Sequence, residues 1–501
     1  MSRFLWHLLS GLALLAACLS LWSSWLQPSP QTQLDLFQTN LALQASRTLD
    51  DPNYQHLARA LLGSDVIQMA SNRYQQATDR LSQRLSLSQS LVSPPLAGDP
   101  LPDPNTNPSA PPLVELTSAK QQQLTQERDI LSLRSGILLA YQENLAEATR
   151  YWQQIETPEL AETATAILGL WASPRRILPD AELLVQRHLD GWFEATTLQR
   201  LFSLQQRGEA LNALTQSQEK VALAALGRLT LVGGLPLLGS LLGLGIGLGW
   251  IIWVLLHKQD VFGEAWSVPW TGRELQRVLT TWFLGFLILG WLVPQIYLSS
   301  LQIQPGQLSY WQQAIELFLT YNCAALWGLG VIYQVVRRYQ PLPPEVLQVR
   351  WFSNWPLWGI SGYWVAIPLV SIGGIVAEWL LPQAGGGNPI LPLILQSQGW
   401  APRLIFFTVV SISAPLFEET LFRGFVLSSL TRYLPAWGAV GLSALLFAIA
   451  HLNLADLIPL TVLGFVLGMI YTHSRNLLAP MLLHSCWNAG SLVALLILGG
   501  N

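Results

Sequence analysis

The chain has 501 residues, of which 51% are hydrophobic and only 11% charged, and a mean hydropathy of +0.34. That charge fraction is less than half of the roughly 25% usual in soluble domains, so the composition excludes an ordinary soluble globular protein and points to an integral membrane protein. A net charge of −3 argues against nucleic acid as a partner, and the three cysteines, Cys18, Cys323 and Cys486, lie far apart in apolar segments, suggesting neither a disulfide framework nor a zinc site.

The first apolar run extends from Phe4 to about Leu26 behind Arg3. Its length favours an uncleaved signal-anchor helix over residues 1–26, with a cleaved signal peptide as the alternative. Residues 27–227 hold 15 Lys and Arg against 21 Asp and Glu, a net charge of −6, and read as a soluble helical region. Eight prolines between 94 and 112 predict an extended linker there. Gly136, Ala148 and Trp152 then fall at the offsets of a tetratricopeptide-like helix pair within 133–170, with no second copy in clean register. A helical hairpin packed on itself is the simpler reading. A protein partner for 27–227 is an expectation only.

Apolar runs resume at about 229–256, 279–298, 313–336, 356–381, 403–422, 436–452, 457–473 and 477–499. All but 436–452 and 457–473 reach the roughly 20 residues that cross a bilayer. The fold class is therefore all-α: a polytopic helical membrane bundle of 8–9 spans with an inserted soluble helical domain. It divides into N-terminal membrane helices at 228–355 and a core at 356–501. Lys258, Arg273 and Arg277 share one loop side with Arg337, Arg338 and Arg350, and with Arg432 and Arg475 if every run crosses. That places the N-terminus in the cytoplasm and 27–227 outside it. A bacterial inner membrane fits, with a thylakoid or other organelle membrane as the alternative.

The polar residues inside the last spans carry the chemistry. Glu418, Glu419 and Arg423 sit in an apolar run, where each charge costs about 2.5–3.5 kcal/mol on insertion scales. On a helix Glu419 and Arg423 are i,i+4 and can pair, whereas Glu418 is turned about 100° away and left without that partner. Phe447 and His451, and then His484 and Asn488, repeat the same spacing. Each residue alone has a bland reading: Arg423 with Glu419 as a structural ion pair, His451 or His484 as a buried hydrogen-bonding residue, Asn488 as interhelical glue, Phe447 as lipid-facing or core. Together they form a costly set to keep for packing alone. Among serine and cysteine alternatives, Ser443 lacks the second glycine of a rhomboid-like site, and Cys486 lies nearly opposite His484 on a helix.

These three motifs, in this order within apolar spans, resemble the signatures of the CPBP family. The family comprises CAAX-type prenyl endopeptidases and bacteriocin-processing or self-immunity (Abi) proteins, and the resemblance covers roughly 356–499. It implies glutamate-dependent intramembrane proteolysis of a membrane protein or lipidated peptide. Glu418 would be general base on a water also held by His451, His484 and Asn488 would donate to the oxyanion, and Glu419, Arg423 and Phe447 would support the site. No cofactor is expected. The competing version is a zinc ion on Glu418, His451 and His484, against which Asn488 is a poor ligand and a His-Glu-x-x-His pair is missing. A non-catalytic scaffold, immunity or regulatory protein of the same family is the rival function.

Overall fold

The computed structural model describes residues 3–25, 30–91, 112–257, 261–262, 264–303, 307–381, 390, 393–394, 397 and 399–499. The proline-rich stretch up to Pro111 lies outside the described residues, and Pro112 begins a helix. Among the described residues every element is helical. The chain divides into two compact units, Thr32–Thr230 and Met1–Gln31 with Leu231–Asn501.

The Thr32–Thr230 unit follows the helix α1 (Arg3–Trp25) in sequence and contains most of α2 (Pro30–Ala45), then α3 (Gln55–Leu62), α4 (Val66–Leu91), α5 (Pro112–Tyr141), α6 (Leu145–Gln153), α7 (Pro158–Trp171), α8 (Ala181–His188), α9 (Gly191–Leu204) and α10 (Gly208–Leu229). Short connections make neighbours antiparallel. Gly136 lets α5 and α6 close up, since a Cβ there would lie 2.2 Å from the Trp152 indole. That indole donates to the Leu133 carbonyl at 3.1 Å. The buried Asp129 carboxylate ties α5 to the α6–α7 turn: it accepts from the backbone N–H of Glu156 and Thr157 and from the Thr157 hydroxyl, at 2.7–3.0 Å, and pairs with Arg128 at 2.6 Å.

The other unit holds α1 and the helices α11 (Leu235–His257), α12 (Gly272–Leu301), α13 (Tyr310–Val336), α14 (Trp355–Leu380), α15 (Trp400–Leu430), α16 (Ala436–Ala450), α17 (Leu457–Ser474) and α18 (Leu478–Gly499). Eight described helices of the chain are long and apolar enough to cross a membrane, and α16 is the shorter apolar one. Its 15 residues span about 22 Å, less than the roughly 30 Å hydrocarbon thickness. The chain is an integral, multi-pass membrane protein.

The basic residues of alternate loops meet at one end of this unit. Arg432 donates to the carbonyls of Val268 and Trp270 at 3.2 and 2.9 Å. Arg475 pairs with Glu345 at 3.1 Å, donates to the Glu264 carbonyl and lies 4.0 Å from the Trp266 ring centroid. Trp266, Trp270 and Tyr433 gather there, the aromatic composition of a membrane interface.

Small residues set the helix spacing. Gly464 and Gly468 of α17 form a GxxxG stripe against α16, with Cβ positions only 2.9 Å from Ala444 Cα and 3.0 Å from Val440. One buried apolar core joins Trp282 of α12, Ile332 of α13, Phe417 and Phe422 of α15 and Phe447 of α16. The helices on either side of residue 355 thus share their packing.

Candidate active site

The span predicted at 403–422 is not a uniform α-helix. α15 is α-helical over Trp400–Thr408, π-helical over Val409–Ser413, α-helical over Ala414–Glu419 and π-helical again over Thr420–Leu427. Pro415 explains the first π stretch. A proline cannot donate to the carbonyl four residues back, and its ring clashes with that turn. The Ala414 N–H bonds to the Val409 carbonyl, the wider i→i+5 pattern. Val410 then loses its α-helical donor to Val409, and its π-helical donor would be Pro415, which has no N–H. Asn488 Nδ2 donates to the Val410 carbonyl at 2.7 Å instead. The orphaned carbonyl is satisfied from α18, as low-polarity surroundings require.

The two π stretches bracket Glu418 and Glu419. Glu419 is fully buried and accepts from Arg423 Nη1 at 2.9 Å, the i,i+4 pair expected from the spacing. The same oxygen, Oε1, accepts from His484 Nδ1 at 2.8 Å. Arg423, also fully buried, donates through Nη2 to the Gly464 carbonyl at 2.9 Å and lies 4.5 Å from the Phe447 ring centroid. A guanidinium in hydrocarbon is held by a carboxylate, a carbonyl dipole and an aromatic face together.

Glu418 faces a different set of groups. Its Oε2 lies 4.0 Å from His451 Nε2 and 4.0 Å from His484 Nε2, and is buried without a hydrogen-bond partner among the described residues. Its other oxygen, Oε1, accepts from the Tyr321 hydroxyl of α13 at 2.8 Å. Tyr321 escaped the sequence reading because nothing local links it to the motifs. The available signal was the polar run Thr320-Tyr321-Asn322 in the middle of an apolar span.

His451 caps α16, a helix of 15 residues that is shorter than the spans around it. Leu452, with φ +55, turns the chain out of the helix in the left-handed region. His451 Nδ1 donates to the Phe447 carbonyl at 2.8 Å, and its side chain is 33% exposed. Phe447 is completely buried, with its ring edge-on to His451 and His484 at centroid distances of 4.8 and 5.7 Å. It is core, not lipid-facing.

These partners assign the imidazole protons. A carbonyl or carboxylate can only accept, so both Nδ1 atoms carry hydrogen and both Nε2 atoms face Glu418. In their neutral forms both Nε2 atoms present lone pairs. The structure therefore brings together Glu418, Glu419, Arg423, Phe447, His451 and His484, with Asn488 one helical turn beyond His484. Among the described residues no group of three or more His, Cys, Asp or Glu is arranged as a metal site. Tetrahedral zinc with bonds of about 2.0–2.1 Å holds its donor atoms roughly 3.3 Å apart, closer than the 4.0 Å separations here.

The comparisons with known proteins meet this geometry in the same stretch of chain. The family described as type II CAAX prenyl endopeptidase Rce1-like matches residues 399–490. Residues 399–490 thus resemble an Rce1-like domain. The domain runs from α15 into α18 and contains every predicted site residue, but not Tyr321. Among curated proteins, the candidate membrane peptidase YdiL of Bacillus subtilis is 27% identical over 26% of this chain and 53% of its own. The membrane-embedded CAAX protease MroQ of Staphylococcus aureus is 31% identical over 26% of this chain and 54% of its own. The UPF0177 protein YxdF of Lactococcus lactis is 32% identical over 20% and 55% respectively. The chain thus spans about half the length of these relatives. No solved structure matches it significantly.

Proposed function

We propose that the Rce1-like domain is an intramembrane endopeptidase in which Glu418 activates a water molecule for attack on a peptide bond of a membrane-associated substrate. The observation that carries this reading is the buried Glu418 Oε2, 4.0 Å from two imidazole Nε2 atoms. One water hydrogen-bonded at about 2.8 Å to each of two atoms bridges about 4.0–4.6 Å, so this spacing suits a water between Glu418 and His451. The water would donate one hydrogen to the Glu418 carboxylate and the other to His451 Nε2, leaving its oxygen lone pair for the carbonyl carbon.

As attack proceeds, Glu418 takes the water proton and later returns it to the leaving amine. The oxyanion requires donors. His484 serves as one when both ring nitrogens are protonated, with Nδ1–H on Glu419 and Nε2–H toward the oxyanion. Glu419 then holds that ring as a triad carboxylate holds its histidine. Asn488 spends one amide N–H on Val410 and retains a second. With Glu418 and Glu419 ionised and Arg423 and His484 positive, the cluster is neutral overall, which lowers its cost in hydrocarbon.

The substrate class follows the family description: a prenylated peptide of the CAAX type, or another lipid-anchored or membrane-spanning peptide. The test is cleavage of S-farnesylated and unprenylated membrane peptides by the purified full chain, Glu418→Ala and His484→Ala. Loss of cleavage in both variants is expected, and activity surviving both rejects the site. Full activity after stringent metal removal is expected on the same assay, and loss restored only by zinc overturns the water reading.

A further inference from the structure

The Rce1-like segment supplies only one side of the Glu418 environment. The other side comes from α13, about a hundred residues earlier in the chain, where the Tyr321 hydroxyl donates to Glu418 Oε1 at 2.8 Å. We propose that Tyr321 is a positioning residue for the catalytic glutamate, which makes α13 part of the active centre. The proposal rests on the reading of Glu418 as the base.

A glutamate side chain has three rotatable bonds, and the productive arrangement requires one particular oxygen to face both imidazoles. The hydrogen bond to Oε1 removes the carboxylate rotations that would turn Oε2 away. It leaves the lone pairs of Oε2 for the water, because the hydroxyl occupies the other oxygen. The phenol oxygen is held in place by a partly buried ring packed against the shared core. α13 can approach because residue 328, two turns from Tyr321 and on the same face, is glycine. A Cβ at Gly328 would lie 2.4 Å from the Phe417 ring, immediately before Glu418 in sequence. Tyr321 and Gly328 thus make one contact surface, a donor and a recess, for the Phe417-Glu418 step of α15.

The contact also gives the carboxylate a direct hydrogen-bond donor in an apolar bundle. Glu419 has Arg423 and His484, whereas Glu418 has a neutral donor on one oxygen and imidazole nitrogens beyond hydrogen-bond distance from the other. A neutral hydroxyl orients the base without the strong charge pairing that would hold it permanently.

The experiment compares full-chain wild type, Tyr321→Phe, Glu418→Gln and the double variant on the farnesylated peptide. The infrared carboxylate band that Glu418→Gln deletes is followed alongside. Tyr321→Phe is expected to lower kcat about 10- to 100-fold, the range for one hydrogen bond to a charged group, with KM within about twofold. It should shift the carboxylate band and have no further effect in the Glu418→Gln background. Incorporation of 3-fluorotyrosine at position 321, a stronger donor of nearly the same shape, should move the band the opposite way. That arm needs no turnover and stands even if Tyr321→Phe does not fold. An unmoved band, a loss confined to KM, or the same fold-loss in both backgrounds overturns the role of Tyr321. Full activity of Glu418→Gln instead overturns the underlying site.

Discussion

The two adjacent glutamates are chemically identical, and their surroundings divide them. Glu419 is fully enclosed and shares one oxygen between Arg423 and His484. Removing its charge leaves Arg423 buried without a counter-ion, a change that costs about 3–5 kcal/mol when a buried pair is broken. Glu419→Gln is therefore expected to lower both thermal stability in detergent and activity. Glu418→Gln keeps the shape and the bond from Tyr321 but cannot take a proton. Its expected signature is an unchanged melting temperature with kcat reduced roughly 10²–10⁴-fold, as for a lost general base. Equal loss of folding in both would return Glu418 to a structural role. Arg423→Lys belongs to the same comparison. An ammonium cannot span Glu419 and the Gly464 carbonyl as the fork does, so this conservative change should destabilise the protein measurably.

Among the elements, α15 departs furthest from a regular helix, and Pro415 is the cause nearest to hand. Pro415→Ala restores an N–H that can reach the Val410 carbonyl and compete with Asn488. A double-mutant cycle is expected to show coupling: Asn488→Ala should cost less stability in the Pro415→Ala background than in wild type, and strict additivity would refute the link. α17 contributes through what it lacks. Gly464→Val would drive a side chain into Ala444, already 2.9 Å from where a Cβ would begin, and would shift the carbonyl that holds Arg423. Overpacking of this kind costs about 1–3 kcal/mol, so a lower melting temperature and lower activity are expected together. α1 also belongs to the membrane unit by its contacts: Ser10 bonds Thr280 at 2.8 Å, and Ser24 accepts from the Leu454 N–H at 3.1 Å, three residues beyond His451.

At the scale of the whole molecule, two compact units each carry their own buried core. Asp129 ties elements within Thr32–Thr230, since Arg128, Glu156 and Thr157 all belong to that unit. Asp129→Asn weakens the pair with Arg128 and is expected to expose the α5–α7 region to limited proteolysis while peptide cleavage by the Rce1-like domain continues. If residues 32–230 select substrates, deleting 30–220 should change which membrane peptides are cut. Unchanged selection would remove that role.

Composition already announced a polytopic helical membrane protein, and motif spacing singled out Glu418, Glu419, Arg423, His451, His484 and Asn488 as candidates. Both signals survive in one dimension because hydrocarbon punishes charge and because the helical repeat places i and i+4 on one face. The Glu419–Arg423 pair was legible for that reason. Tyr321 was not, because α13 is distant in sequence and only packing at Gly328 and Phe417 brings its hydroxyl to Glu418. Nor was the π-helical course of α15, where the carbonyl that Pro415 strands accepts from a donor on α18. Local patterns report which side chains a helix turns the same way. Which helices meet, and so which lone pairs and protons face one another, is decided only when the small residues of separate spans let the backbones close.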